Sequence, residues 1–347
     1  MSSNYHEPVR GRGRLSILAN ESGSVFADRV HTQLCQIMKE ARGKDDTYLR
    51  ATEEIRFPNG EIKTVIQENV RGDDVYVVQC MDDPLSDRST NDNLMALVTT
   101  IHAADVSDAA SITVVIPQFP YSRQERKKTR EAITARVVAR LLEDAGADRV
   151  ITLDIHAEAI MGFFNRCTLE DLHASALILD HFVENFDQDN LVVAAPDVGG
   201  ADMARYYSNR LNVPLAIVDK LRDYTKASSI ESMRLVGDVN NHNVLMPDDM
   251  IATGGTLMKA CGHLKEQGAQ NLYLACSLPF FNGGAVELFE KSHEEGVFDH
   301  LIATDGVIRG QEFVDAHPWY HEVSVAPLFA RVIFNINQKL SVSSLLR

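Results

Sequence analysis

The sequence predicts an α/β chain built from mostly parallel sheets flanked by helices. Three observations lead there. Apolar runs of strand length alternate with stretches of helical period along the chain. Those runs are apolar along their length, the pattern of parallel strands covered on both faces. One helix-to-strand junction also occurs twice. Leu142-Glu143-Asp144-Ala145-Gly146-Ala147 leads into Val150–Leu153, and Leu264-Lys265-Glu266-Gln267-Gly268-Ala269 leads, at the same offset, into Leu272–Cys276. Each reads as a helix ended by a glycine C-cap that feeds a strand.

In chain order, the strand candidates are Val75–Gln79, Ile112–Ile116, Val150–Leu153, Leu191–Ala195, Leu215–Val218, Asn243–Met246, Leu272–Cys276 and His300–Ala303. Between them the apolar spacing predicts helices such as Leu94–Ala104, Ile133–Ala145, Ala201–Leu211 and Thr256–Gln267. A chain of 347 residues suggests about two domains. Two copies of one α/β domain would explain the repeated junction; chance reuse of a common junction is the alternative the sequence leaves open.

Composition excludes several classes. The chain is 45% hydrophobic and 24% charged, as globular proteins are. No apolar run approaches the roughly 18 residues that span a membrane. The start, MSSNYHEPVRGRGRLS, lacks the apolar segment of a secretory signal and reads as a short, slightly basic tail over residues 1–13. A net charge of −15 argues against nucleic-acid binding. The five cysteines are scattered with no C-x-x-C pair, which fits reduced thiols in a cytoplasm and not a structural zinc.

The stretch Asn243–Leu257 carries the most chemistry. A short apolar run ends in two carboxylates, Asp248 and Asp249. The small-residue loop Thr253-Gly254-Gly255-Thr256 follows, and then a helix. Backbone N–H groups and the helix dipole at such a turn suit a phosphate. The carboxylates suit ribose hydroxyls or a hydrated Mg²⁺.

Four other stretches stand at turns or strand ends. Phe57-Pro58-Asn59-Gly60-Glu61 is a hairpin-type turn before the alternating run Ile62–Gln67. Tyr121–Arg136 carries six Lys or Arg against two Glu, a local reversal of the chain's acidity. Its Arg123 and Gln124 fall just past a strand end, where open α/β sheets bind ligands, and guanidinium groups suit polyphosphate. A solvated charge run is the ordinary alternative. His156, in Asp154-Ile155-His156, and Asp197, in Pro196-Asp197-Val198-Gly199-Gly200, also follow strand ends. So do Lys220 and Arg222.

The order of these pieces is more specific than any one of them. Phe-x-Asn-Gly-Glu is followed by Asn-Asp-Asn-Leu-Met at 91–95, Tyr-x-Arg-Gln-x-Arg-Lys, Asp-x-His-Ala, Pro-Asp-Val-Gly-Gly, Asp-Lys-x-Arg, Gly-Asp-Val and Asp-Asp-Met-Ile. From about Leu15 to Leu346 the chain resembles the ribose-phosphate pyrophosphokinase (phosphoribosyl pyrophosphate synthetase) family. The resemblance implies two phosphoribosyltransferase-like domains. The first spans 14–171, with a segment near 324–340 packing back on it, and the second spans 172–323.

It also implies an enzyme that transfers the β,γ-diphosphoryl group of ATP to the anomeric hydroxyl of ribose 5-phosphate, with Mg²⁺. Carried over by position, Phe57, Asn59 and Glu61 would form an adenine pocket completed by a neighbouring subunit. Arg123 and Gln124 would contact ATP. His156 and Asp197 would be metal-associated. Lys220 and Arg222 would neutralise charge on the transferred phosphates. Asp248 and Asp249 would serve the ribose hydroxyls, and Thr253, Gly254, Gly255 and Thr256 would hold the 5-phosphate. A homo-oligomer, a hexamer built from dimers in the family, is expected. The loop departs from the family's usual Asp-Thr-x-Gly-Thr in carrying Ala252. That departure motivates a second reading, a catalytically weak or inactive paralogue that assembles with and regulates an active synthetase.

Overall fold

The structure, a computed structural model, describes residues 12–43, 47–222, 230–343 and 345. For 220–222 and 230–232 the backbone alone is described. Two compact units result: one runs up to His173 and takes in the residues from Val325 onward, and the other is Ala174–Ser324.

The N-terminal unit is built from β1 (Leu15–Ala19), α1 (Ser24–Arg42), β2 (Thr47–Arg50), β3 (Thr52–Arg56), β4 (Ile62–Ile66), β5 (Asp74–Val78), α2 (Thr90–Asp105), β6 (Ser111–Val115), α3 (Thr134–Asp144), β7 (Arg149–Leu153) and β8 (Thr168–Leu172). Six of the strands form a sheet in the order β2-β1-β5-β6-β7-β8, parallel throughout. The antiparallel hairpin β3–β4 stands apart as its own two-stranded sheet. Val75 and Val77 of β5, Ile112 and Val114 of β6 and Val150 of β7 are buried against α2 and α3 through Leu97, Ile101, Val138 and Leu142.

The second unit contains α4 (Ser175–Asn185), β9 (Leu191–Ala195), α5 (Ala201–Leu211), β10 (Leu215–Arg222), β11 (Ile230–Val236), β12 (Asn243–Ile251), α6 (Gly255–Glu266), β13 (Leu272–Pro279), α7 (Ala285–Glu294), β14 (His300–Thr304), α8 (Gln311–Ala316) and β15 (Tyr320–Val323). Its sheet runs β11-β10-β9-β12-β13-β14-β15, parallel except for the β10–β11 pair. The last helix, α9 (Ala326–Asn337), belongs to the N-terminal unit. Phe329 of α9 packs edge-on against Phe26 of α1, with centroids 5.2 Å apart. The Asn337 side chain donates to the buried Asp74 carboxylate at 2.9 Å.

The repeated junction is a structural repeat as well. α3 feeds β7 and α6 feeds β13, and equivalent bonds close both helices: Ala147 N–H to Leu142 C=O at 3.1 Å and Ala269 N–H to Leu264 C=O at 3.0 Å. Gly146 and Gly268 both have positive φ, where L side chains are strained. A Cβ on Gly268 would also lie 2.3 Å from the Asn240 side chain.

The structure extends the expected strands where neighbouring strands continue. The apolar run at Asn243–Met246 stops before Pro247, yet β12 continues to Ile251. Its pairing with β9 covers only Asn243–Leu245, while β13 accompanies it as far as Ile251. Pro247, which has no N–H to offer, therefore lies beyond the part of β12 paired on both sides. None of the edge strands β2, β8, β11 and β15 figures among the apolar runs. Each is open on one side and carries charged residues, Arg50, Glu170, Arg234 and Glu322 among them.

Candidate active site

In an open α/β sheet the ligand crevice lies beyond the strand carboxyl ends, where the strand order reverses. In the second unit that point falls between β9 and β12. Asp197 follows β9, and Asp248 and Asp249 lie in the last part of β12, so topology gathers three carboxylates from distant sequence. The Asp249 N–H donates to Asp248 Oδ1 at 3.0 Å. Burial, then the charge of Asp249, with a contribution from Asp197, pushes the Asp248 carboxyl up to about 8. Asp197 caps the turn before α5, its carboxylate accepting the Gly200 N–H at 3.1 Å.

After β12 the chain turns through Ala252, Thr253 and Gly254 into α6. Thr253 is exposed and Gly254 half-buried, while Gly255 and Thr256 open the helix. Gly254 has φ +69°, and a Cβ there would lie 2.3 Å from the fully buried Phe289 ring. The loop is braced from outside by Phe281 N–H to Ile251 C=O at 3.0 Å and Asn282 N–H to Ala252 C=O at 2.8 Å. The first amides of an α-helix have no intrahelical acceptor and carry the positive end of the dipole. This turn therefore has the chemistry that suits an anion, a few residues from a carboxylate cluster. Lys220 and Arg222 end β10, where the pairing with β11 is irregular between Leu221 and Arg222. Their side chains lie outside the described residues.

In the N-terminal unit the reversal falls between β1 and β5, but that crevice is filled. A Cβ on Gly23 would meet the Val78 carbonyl oxygen at 2.4 Å, and Asn20 and Gln79 are fully buried. The open positions lie elsewhere. Arg123 and Gln124, past β6, are exposed, as is His156 past β7. Phe57, Asn59 and Glu61 are exposed at the tip of the β3–β4 hairpin. That turn is closed by Phe57 N–H to Glu61 C=O at 2.9 Å and Glu61 N–H to Asn59 Oδ1 at 3.2 Å.

Each unit thus assembles its own subset of the expected residues. Among the described residues no three His, Cys, Asp or Glu side chains converge as a ready-made metal cluster. Mg²⁺ does not need one: it keeps several waters and binds through one or two carboxylates plus substrate phosphates. The crowded carboxylates at β9 and β12 fit that demand. Among the described residues no helix is long and apolar enough to cross a membrane.

Comparison with known proteins agrees with this fold. Residues 15–146 match the model of the N-terminal domain of ribose phosphate pyrophosphokinase, and residues 167–305 match the phosphoribosyl transferase domain. The chain is 38% identical over 333 residues to the ribose-phosphate pyrophosphokinase of Chlorobaculum tepidum, covering 95% of this chain and 94% of that one. It is 42% identical over 291 residues to that of Wolinella succinogenes, covering 84% and 89%. The crystal structure of phosphoribosylpyrophosphate synthetase from Mycobacterium smegmatis superimposes with a TM-score of 0.81 at 31% identity, over 94% of this chain and 99% of that one. A two-unit α/β chain with this loop between β12 and α6, and with these relatives along nearly its whole length, belongs to the ribose-phosphate pyrophosphokinase family.

Proposed function

We propose that this protein transfers the β,γ-diphosphoryl group of ATP to the anomeric hydroxyl of ribose 5-phosphate, giving phosphoribosyl pyrophosphate and AMP. The observation that carries the reading is the β12–α6 turn: paired carboxylates, a Gly/Thr loop and a helix N-terminus at the strand-order reversal. The anomeric oxygen bonds to the β-phosphorus as the bond from that phosphorus to the α,β-bridging oxygen breaks. AMP leaves with the bridging oxygen, and the hydroxyl proton passes to water.

Thr253, Gly254, Gly255 and Thr256 hold the 5-phosphate through backbone amides and hydroxyls, and Asp248 and Asp249 orient the ribose hydroxyls. Holding the nucleophile in line accounts for much of the acceleration in reactions of this kind. Arg123 and Gln124 contact ATP, and Phe57, Asn59 and Glu61 receive its adenine. Lys220 and Arg222 neutralise the charge of the moving phosphates. Asp197 in the second unit and His156 in the N-terminal unit would each associate with Mg²⁺, which would supply further charge neutralisation when bound. The exposed hairpin tip suits completion of the adenine pocket by a second copy, so the working form is a homo-oligomer.

Incubation with ATP, Mg²⁺ and ribose 5-phosphate is expected to give AMP and phosphoribosyl pyrophosphate in equal amounts. ADP in place of AMP, or no sugar-dependent AMP, would overturn the reading.

Ala252 separates this reading from the regulatory paralogue. The missing carboxylate would cost about 1.5–3 kcal/mol if nothing replaced its hydrogen bond. Asp248, Asp249 and Asp197 already crowd the site, and a fourth carboxylate adds like charge. Ala252→Asp is therefore expected to change kcat/KM for ribose 5-phosphate by less than about threefold. A gain of about a hundredfold would instead mark the wild-type loop as disabled and favour the regulatory reading.

A further inference from the structure

The β3–β4 hairpin is not part of the main sheet, and a two-stranded hairpin is marginal by itself. Its placement comes from what it packs against: α2 and the residues just before it, together with Ala19 and Glu21 at the end of β1 and just after. Arg88, just before the helix, is only 7% exposed in its side chain and forms ion pairs with Glu54 of β3, itself 3% exposed, and with Glu21. Glu54 also accepts the Glu21 N–H at 2.6 Å. Arg56, adjacent to Phe57, reaches Asp92 at 3.1 Å and Asp87 at 3.6 Å. Further along the helix, Thr64 of β4 meets Thr99 at 3.1 Å.

The same turn of helix grips the other nucleotide segment. Tyr121, two residues before Arg123 and at φ +60°, donates its hydroxyl to Asn91 Oδ1. The buried Asn93 donates to the Met81 carbonyl at 3.1 Å, and the Met81 N–H donates to the buried Gln118 at 2.7 Å. The turn itself is fixed by a capping box. Asp92 N–H donates to Ser89 Oγ at 3.2 Å, and Ser89 N–H donates to Asp92 Oδ2 at 3.0 Å. Asp92 therefore serves both the helix start and the hairpin.

We propose that Arg88–Asn93 is a positioning element that sets the adenine hairpin and the Tyr121–Gln124 turn in one fixed geometry for the nucleotide. The inference rests on the proposed ATP role of Phe57, Asn59, Glu61, Arg123 and Gln124. Arg88 is its central positioning residue. A buried ion pair contributes little net stability but is costly to break from one side, which suits it to fixing register. None of these residues needs to touch ATP.

The test is Arg88→Met in the full-length protein, with steady-state kinetics for both substrates and direct titration of ATP without sugar. The expected result is an ATP KM and Kd raised at least about tenfold, with the ribose 5-phosphate KM within about twofold of wild type. Arg88→Lys keeps the charge but lacks the fork that reaches Glu54 and Glu21 together, so it should recover ATP affinity only in part, to a value between those of Arg88→Met and wild type. Tyr121→Phe should weaken ATP about threefold. Combined with Arg88→Met it should add less than its separate effect, because both act through one element. Equal rises in both KM values, or unchanged ATP affinity, would overturn the proposal. If Arg88→Met does not fold, Tyr121→Phe decides alone by the same split. A wild type that binds ATP but forms no AMP would sink the catalytic reading while leaving the positioning test intact. A wild type that does not bind ATP would sink the ATP-site assignment and this inference with it.

Discussion

Gly254→Ala is expected to raise the KM for ribose 5-phosphate about a hundredfold or more, with the ATP KM within about twofold of wild type. Two independent costs coincide at this residue. Its φ of +69° lies in the left-handed region, which costs an L-residue roughly 1–2 kcal/mol. The added Cβ would lie 2.3 Å from Phe289 Cε2. That ring has no room to retreat. It is fully buried between Phe281, Phe298 and Trp319, at centroid distances of 4.9, 5.5 and 5.9 Å. Overpacking of such a core costs about 1–3 kcal/mol. The chain relieves both costs most cheaply by moving the loop, whose far side faces solvent, and that displaces the phosphate amides. Gly255→Ala is the control for folding. No atom lies within 4 Å of its Cβ position and its φ is not positive, so its melting temperature should stay within about 2 °C of wild type. An unchanged sugar-phosphate KM in Gly254→Ala would show that the phosphate does not use this loop.

How much of this was legible in the sequence depends on whether a feature is local. The β12–α6 turn is local: the apolar run, the carboxylates, the glycines and the helical period lie in one short stretch, and the structure keeps them in that order. The junctions ending at Gly146 and Gly268 are local too, and the same bonds close both. What stayed hidden depends on partners far along the chain. The extension of β12 past Pro247 needs β13 beside it, and the continuation of β10 to Arg222 needs β11. The first turn of α2 lies outside the apolar period, which begins at Leu94; its signature is the Ser89/Asp92 pair, a capping box that a search for start signals finds. The Arg88–Glu54 ion pair had no sequence signal, since an arginine in a polar loop and a glutamate in a polar strand both read as surface. For the site residues, sequence order marked the segments, but topology decided which of them meet. Asp197 and Asp248 become neighbours only because β9 and β12 flank the point of reversal.

That neighbourhood sets the second large effect. Asp248→Asn is expected to lower kcat/KM for ribose 5-phosphate about a thousandfold, within the range for a group that orients a reacting hydroxyl, while making the fold more stable. The stability effect follows from the titration of Asp248. Burial, reinforced by the Asp249 charge, holds its carboxyl at about 8 in the folded protein, against 3.8 for the unperturbed side chain. Between those values the folded chain keeps a proton that the unfolded chain has released, so stability falls as pH rises from about 4 to about 8 and levels off above. Asparagine has no charge to desolvate and is nearly isosteric. The variant should therefore match wild type in melting temperature near pH 5 and exceed it near pH 8.5, by a gain on the order of 2 kcal/mol. Mg²⁺ and ribose 5-phosphate should stabilise wild type more than the variant and so reverse this ordering, because a cation on the carboxylates would offset the repulsion and favour loss of the proton. Thermal melts of both proteins across this pH range, with and without ligands, check each step. A variant that is less stable than wild type near pH 8.5, or that keeps its turnover within about tenfold, would remove Asp248 from its assigned place. If melting separates into two transitions, the pH-dependent one should be that of the second unit, where the carboxylates lie.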